Sequence, residues 1–482
     1  MRGLQCQKSL YLYKNFFSMR DAVSGRQQAI FDRGTNVGLL ARKLFPGGVD
    51  VSPSSPLKYR ESVERTQQEI SKGTQVIYEA AFQFDQVLAA IDILVKENGV
   101  WNAYEVKSSA RISSAYMLDA SLQYHIINNS GITLNDILIV HINNQYVKNG
   151  PIELEKLFAK VSVRAEAIGN AGMVNEKINL SKKMLTGNTV PDIKIGEHCF
   201  YPYPCDFSGT CWKEIPENSV FEISGLNRKG QFELHDQGII RMEEIPADHP
   251  VREKANTQIE CQVNNRVYIE KSGLKKFIGT LNYPLYFLDF ETFMPAVPVY
   301  DGTHAFQHIP FQYSLHRIDR EGGEFFHSEF LGEADKDTRH NLIEKLLKET
   351  VGKGSIIVFN ASFERMVLND LKKLFPELGP LIEERVSRIK DLMVPFLERM
   401  YLHPKMHGSN SIKNVLPALV PDLNYEKLKI GDGTVAMASF ENLLTETDIY
   451  KIAETRDALL EYCRMDTLAM VKILEVLQRA AT

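Results

Sequence analysis

Asp289 and Glu291 stand two apart in YFLDFETF, a run that reads as a strand apolar on both sides, so their side chains share one face. Two carboxylates on such a face repel each other unless a divalent ion neutralises them. LLEYCRMDTLAMVKIL has a strong helical pattern and places Tyr462 and Asp466 four apart, on one helical face. Between these motifs SIIVFNASFERMVL carries Asn360 and Glu364 directly after a buried strand, where a helix would begin. Acids from one strand, from the turn after a second and from the last helix can converge on a point. Two Mg²⁺ ions about 3.5–4 Å apart need that geometry to stabilise the attacking and leaving oxygens of phosphodiester cleavage.

A second group lies upstream. Glu105 and Lys107 are two apart in WNAYEVKSS and share a strand face, and Asp92 sits in the apolar run LAAIDILV, where a carboxylate needs a cation. Gln123 and Tyr124 lie in YMLDASLQYHIINN, a helical pattern able to pack beside those strands, and Glu79 in VIYEAAF offers a further oxygen. Acids holding Mg²⁺ or Mn²⁺, with a lysine orienting the attacking water, would hydrolyse phosphodiesters. Cysteine supplies a third pattern. Cys199, Cys205 and Cys211 are clustered, Cys6 lies near the N-terminus, and four thiolates can hold a [4Fe–4S] cluster or Zn²⁺, with His198 a substitute ligand for zinc. Cys261 and Cys463 read as ordinary small residues.

The elements that must position these groups fall into three stretches. Residues 1–215 mix helical patterns with the strand-like runs QVIYEAAF, QVLAAIDILV and WNAYEVKSS. Residues 216–280 are charged and read as a connector or small helical unit. From 281 the strand YPLYFLDFETF leads into IPFQYSLHRI and GEFFHSEFL, then helix NLIEKLLKET and strand SIIVFN, an order that predicts a sheet beginning antiparallel and covered later by helices.

Residues 1–215 resemble the RecB-like PD-(D/E)XK nucleases, in particular the iron–sulfur group that includes CRISPR-adaptation exonucleases. The resemblance implies Asp92 and Glu105 as metal ligands, Lys107 and Gln123 as catalytic residues, and Cys6, Cys199, Cys205 and Cys211 as ligands of a cluster that staples the ends of the domain together. FDRGTNVGLLA offers Gly34 and Gly38 where related sequences place a metal-binding His after a Gly. Residues 281–482 resemble the DEDDy group of ribonuclease-H-like 3′→5′ exonucleases. That resemblance implies Asp289, Glu291, Glu364 and Asp466 as metal ligands and Tyr462 as the residue that positions the attacking water. The middle motif presents Glu364 where that group usually has Asp, with Asp391 in IKDLMVPF the other acid available.

The expected architecture is therefore α/β multidomain, a PD-(D/E)XK restriction-endonuclease-like domain plus a ribonuclease-H-like mixed-sheet domain. The expected function is metal-dependent hydrolysis of nucleic acid, DNA before RNA, in repair, processing or defence. A catalytically degenerate nucleic-acid-binding scaffold is the alternative, and a zinc-stabilised protein unrelated to nucleic acid a third reading. Lys+Arg 56 against Asp+Glu 61 leaves a net charge of −5, so no overall basic field draws the chain to phosphates, and local groups such as Lys405, His407 and Lys413 are the candidate contacts. No P-loop pattern occurs, so unwinding would need a helicase partner. No run is long and apolar enough to span a bilayer, and the N-terminal segment interrupts any signal-like core with Lys, Gln and Arg, which predicts a cytoplasmic protein.

Overall fold

The computed structural model describes residues 1–55 and 58–482. Strands β1 (Val49–Asp50), β2 (Val76–Phe84), β3 (Val87–Glu97), β4 (Val100–Lys107), β5 (Leu134–Ile142) and β6 (Phe158–Ser162) form one mixed sheet in sequence order. Two tight hairpins start it. Asp85-Gln86 and Asn98-Gly99 all take positive φ, the conformation of two-residue turns whose twist matches that of the flanking strands. Parallel pairing of β4 with β5 requires a crossover, supplied by the helix Ser114–Asn128. The Ser113 hydroxyl accepts from the Tyr116 amide at its start, and Ala120, Ile126 and Ile127 pack it onto Ile91, Leu94, Ala103 and Ile139. The opposite face of the sheet packs Ile93, Val95, Tyr104 and Val140 against Val37 and Ala41 of helix Gly25–Ala41.

One irregularity in this sheet bears on the site. Ala89 and Ile91 pack in the same core as Leu94, whereas Ile93 and Val95 face the other core. The side-chain alternation therefore slips by one at Asp92. Across the ladder Glu79 takes φ +56°, a costly conformation for a residue with a Cβ and one that concentrates near functional positions.

A short pair, β7 (Tyr268–Ile269) with β13 (Tyr401–Leu402), precedes and follows the second main sheet, which is built from β8 (Leu285–Phe293), β9 (Ile309–Ile318), β10 (Phe325–Leu331), β11 (Ile356–Val358) and β12 (Ile389–Asp391). Its order is β10-β9-β8-β11-β12, antiparallel among β10, β9 and β8 and parallel from β8 to β12. Leu288, Phe290, Tyr313 and Leu315 pack beneath helices Arg339–Glu349 and Ala361–Leu374. The C-terminal helix Ile449–Ala481 is capped by Asp448, whose carboxylate accepts from the Tyr450 and Lys451 amides. It buries Leu459, Tyr462, Cys463, Asp466, Met470, Ile473 and Leu477, which apart from the adjacent Tyr462 and Cys463 stand three or four apart and so share one broad side.

The chain divides into two compact units. One comprises Met1–Glu214 with Pro295–Gln307, and the other Ile215–Met294 with His308–Thr482. The stretch 216–280, charged in sequence, forms helices Arg228–Asp236, Pro250–Val263 and Lys271–Ile278 within the second unit, with a small core of Val220, Leu234, Met242, Ala255 and Ile259. The protein is thus an α/β chain of two units, each with its own mixed sheet.

Candidate metal centre

Strand β8 lies centrally in its sheet and against the C-terminal helix, so Asp289 and Glu291 from the strand meet Asp466 from the helix. Ligand oxygens of these three carboxylates lie within 4.8 Å of one another. Burial raises the pKa of Asp289 well above its ordinary value, with Asp466, Glu291 and Glu364 adding to the effect. Glu291 is raised for the same first reason and then by Asp466. Asp466 is pushed up to about 6 by burial, opposed by hydrogen bonding from Tyr425 and by the charge of Lys413. Anions so crowded bind protons or metal, because removing water leaves each in the field of the others.

Glu364 enters from the first turn of helix Ala361–Leu374 and is 1% exposed. Burial pushes its pKa up to about 8, and its Oε2 has no hydrogen-bond partner. Such an orphaned buried oxygen is costly unless a cation supplies the missing contact. It raises the pKa of both Asp289 and Glu291, so it lies near them, outside the set of three that converge within 4.8 Å. Asp391 has a different task. Its carboxylate accepts from the amides of Asn360 at 3.0 Å, Ala361 at 2.9 Å and Met393 at 2.9 Å. It therefore fixes the turn, with Asn360 at φ +80°, from which Glu364 departs. A set made of hard oxygen donors fits Mg²⁺ or Mn²⁺.

Tyr462 is 4% exposed, and its phenol pKa is raised by burial and then by Asp466, Glu291 and Asp289, so it stays protonated and able to donate. Gly433 opens helix Gly433–Asn442 beside it, where an added Cβ would lie 3.7 Å from Glu291 Oε2 and 3.8 Å from the Tyr462 hydroxyl. Tyr425 and Cys463, which spacing does not reveal, and Lys413, a candidate phosphate contact from sequence, complete the surroundings. The Tyr425 hydroxyl donates to Asp466 Oδ1 at 2.7 Å. The Lys413 ammonium lies 5.3 Å from the Tyr462 ring centre. Cys463, read from sequence as an ordinary small residue, is buried with Sγ 3.7 Å from Asp289 Oδ2. Of the other basic candidates, His407 lies 3.4 Å from Glu222 and Lys405 is exposed.

In the first unit Glu105 and Lys107 project from β4 toward helix Ser114–Asn128. The Lys107 ammonium donates to Glu105 Oε1 at 2.7 Å and to Asp119 Oδ2 at 3.0 Å. Gln123 Nε2 donates to Glu105 Oε2 at 2.8 Å and to the Ala90 carbonyl at 2.9 Å. Asp119 was not singled out from sequence, although it shares a helical face with Gln123 four residues on. Asp92 Oδ2 accepts from the Val106 amide at 2.6 Å, and its pKa is raised well above normal by burial and then by Glu105 and Glu79. Burial disfavours the Lys107 charge, but Glu105 and Asp119 outweigh it and raise the pKa. Glu79, the further oxygen expected here, is held by Arg42 at 3.0 Å, and Tyr124 packs against the core. Removing Lys107 would leave Glu105 buried and unpaired. Lys107→Met should cost about 3–5 kcal/mol, the usual cost of breaking a buried pair. Urea unfolding checks this, and a loss under about 1 kcal/mol would mean the ammonium is not holding the carboxylates.

The four cysteines line one cavity with Ser9, Lys8, His198, Phe207 and Ser208. Cys6 caps helix Gln7–Asn15 through the Ser9 amide, and Cys205 Sγ lies 3.6 Å from Ser9 Oγ. Asp206 bridges Arg2 at 2.5 Å and Arg20 at 2.6 Å, and Gln5 donates to the carbonyls of His198 and Tyr203. The N-terminal segment is thereby tied to the Cys-rich loop. Thiol pKa values of Cys6 and Cys211 are raised by burial and by the neighbouring cysteines. Among the described residues the set with three ligand atoms inside 4.8 Å of one another is the Asp289, Glu291 and Asp466 triad. A Cβ added at Gly34 in the early helix would lie 3.9 Å from Ser108 Oγ, one at Gly38 would meet open space, and neither residue offers a ligand side chain.

Fold and site together define a two-unit α/β protein with a buried acidic cluster able to hold a metal ion. The profile of a family described as a domain of unknown function (DUF2779) matches residues 286–411, a span that includes Asp289, Glu291 and Glu364 and ends before Tyr462 and Asp466. No curated protein and no solved structure matches the chain. Among the described residues no helix is long and apolar enough to cross a membrane.

Proposed function

We propose that the protein is a metal-dependent nuclease whose C-terminal unit carries a DEDDy-like, ribonuclease-H-like 3′→5′ exonuclease centre. The observation that carries this reading is the convergence of Asp289, Glu291 and Asp466 within 4.8 Å, with Tyr462 one helical turn from Asp466 and the orphaned Glu364 carboxylate near enough to raise the pKa of Asp289 and Glu291. The strand order, with β8 central, antiparallel on one side and parallel on the other, suits that fold. A divalent ion held there would polarise the phosphate and lower the pKa of water. Asp289, Glu291, Asp466 and Glu364 would hold it, while the protonated Tyr462 orients water for in-line attack. DNA is the preferred substrate, by analogy with the RecB-like character of the first unit.

In the first unit, Asp92, Glu105, Lys107 and Gln123 support a PD-(D/E)XK-like reading. Both Glu105 oxygens are already engaged, by Lys107 and Gln123, and that observation favours a second reading for this unit alone, a degenerate nucleic-acid-binding scaffold. The cysteine cavity supports a Cys₄ centre. The same four thiolates could hold a [4Fe–4S] cluster, as the resemblance of this unit implies, or Zn²⁺. Anaerobically purified protein should then contain iron and acid-labile sulfide, both lost in Cys211→Ser, and zinc at one ion per chain would instead support the zinc reading. The C-terminal reading is tested by Mn²⁺ calorimetry on the full chain. Binding lost in Asp289→Asn supports it, and no Mn²⁺ binding by the wild type contradicts it.

A further inference from the structure

Lys413 lies in the first turn of helix Ile412–Leu419, close enough to the acid cluster that its charge favours the ionised forms of Glu291 and Asp466. A lysine on a flexible stem beside so many carboxylates would ordinarily collapse onto one of them. Among the described residues no carboxylate oxygen comes within 4.0 Å of its ammonium. It is held back instead. The ammonium donates to the Gly431 carbonyl at 2.8 Å and stands 5.5 Å from the Tyr425 ring centre and 5.3 Å from that of Tyr462, distances at which an aromatic face attracts a cation. Of its three N–H donors, one is used by Gly431. Tyr425, through its hydroxyl on Asp466, links the acid to the ring that cradles the cation.

We propose that Lys413 is a phosphate-binding residue of this centre. Its ammonium would donate to a non-bridging oxygen of a nucleotide phosphate bound at the acid cluster, and the Tyr425 ring, tied to Asp466 by its hydroxyl, holds the ammonium beside that cluster. A cation fixed in place but left without an ion pair is preorganised for an anion that must arrive from outside the chain. The inference rests on the metal-dependent reading above and adds which side chain meets the substrate's charge. Lys413 then acts on metal binding in two opposed ways, repelling the ion as a like charge and keeping Glu291 and Asp466 ionised to receive it.

The test uses the full chain, Mn²⁺ and thymidine 5′-monophosphate, with calorimetry for both ligands. Lys413→Ala should weaken nucleotide binding to the Mn²⁺-loaded protein about 10- to 100-fold, the range for losing a charge-assisted hydrogen bond. Mn²⁺ should still bind Lys413→Ala, because the two effects of the lysine oppose each other, and Lys413→Arg should recover part of the nucleotide affinity. Unchanged nucleotide affinity in Lys413→Ala, or nucleotide that fails to bind Mn²⁺-loaded wild type, overturns the proposal while leaving the metal centre standing. Loss of Mn²⁺ binding in Lys413→Ala also overturns it, by making the lysine a structural support. Absence of Mn²⁺ binding in the wild type overturns the metal reading, and this inference with it.

Discussion

Asp466→Asn will lower phosphodiester hydrolysis by at least about a thousandfold, the several kcal/mol that a Lewis-acid ion contributes, and will weaken Mn²⁺ binding. Asp466 comes from the C-terminal helix and closes the triad with Asp289 and Glu291 of β8. Asparagine keeps the oxygen that accepts from the Tyr425 hydroxyl but removes the charge that holds the ion. The fold should survive, because one of several mutually repelling buried carboxylates is gone. Thermal unfolding of the metal-free variant should therefore match or exceed that of the wild type. A variant that is folded but inactive assigns the residue to chemistry. A variant that is unfolded would instead make Asp466 part of the scaffold.

Glu364→Gln will stabilise the metal-free protein at pH 8 and weaken its response to Mn²⁺. Burial raises the Glu364 pKa from its ordinary 4.5 to about 8. A carboxyl that binds its proton more tightly when folded contributes stability fully present below about 4.5 and lost as pH rises through about 8. At about 1.4 kcal/mol per tenfold change in proton affinity, the loss across that window is of the order of 3–5 kcal/mol. Glutamine carries no charge at either end of the window, so the variant's stability should fall less from pH 5 to pH 8. Asp289 and Glu291 are raised in the same direction and leave a residual slope. Mn²⁺ acts oppositely, favouring the ionised form, so its stabilisation of the wild type should be greatest at high pH. Melting temperature against pH, with and without Mn²⁺, checks both signs, and parallel curves for wild type and variant would contradict the account.

Much of the C-terminal site is legible in local periodicity. Two residues apart on a strand and four apart on a helix are geometric statements, and they place Asp289 with Glu291 and Tyr462 with Asp466 before any tertiary contact is known. Glu364 after the buried strand SIIVF follows from the same kind of reading. Periodicity is silent on what reaches a site from loops. Tyr425 stands 41 residues from the Asp466 it bonds, and Lys413, a phosphate contact expected from sequence, owes its place beside the cluster to a loop carbonyl, that of Gly431, and to two rings. Asp391 is informative in the other direction, since an acid at a strand end can as well cap a helix as bind metal. Cys463 shows a further limit. A helix buried over a broad arc turns the neighbour of a site residue toward the site as well, and small residues do not announce which side they face. In the first unit, Glu105, Lys107 and Gln123 meet as their elements predict. Asp119, Arg42 and the slip in alternation at Asp92 depend on how the sheet bends, which the residue pattern does not specify.

The most direct measurement is digestion of single-stranded DNA labelled at its 3′ or its 5′ end, by the full chain in Mn²⁺, beside Asp466→Asn. Mononucleotides released at once from the 3′-labelled strand by the wild type, and not by the variant, are the predicted result. Equal cleavage by both proteins, or no cleavage by the wild type in Mn²⁺ or Mg²⁺, would contradict a nuclease centre at Asp289, Glu291 and Asp466.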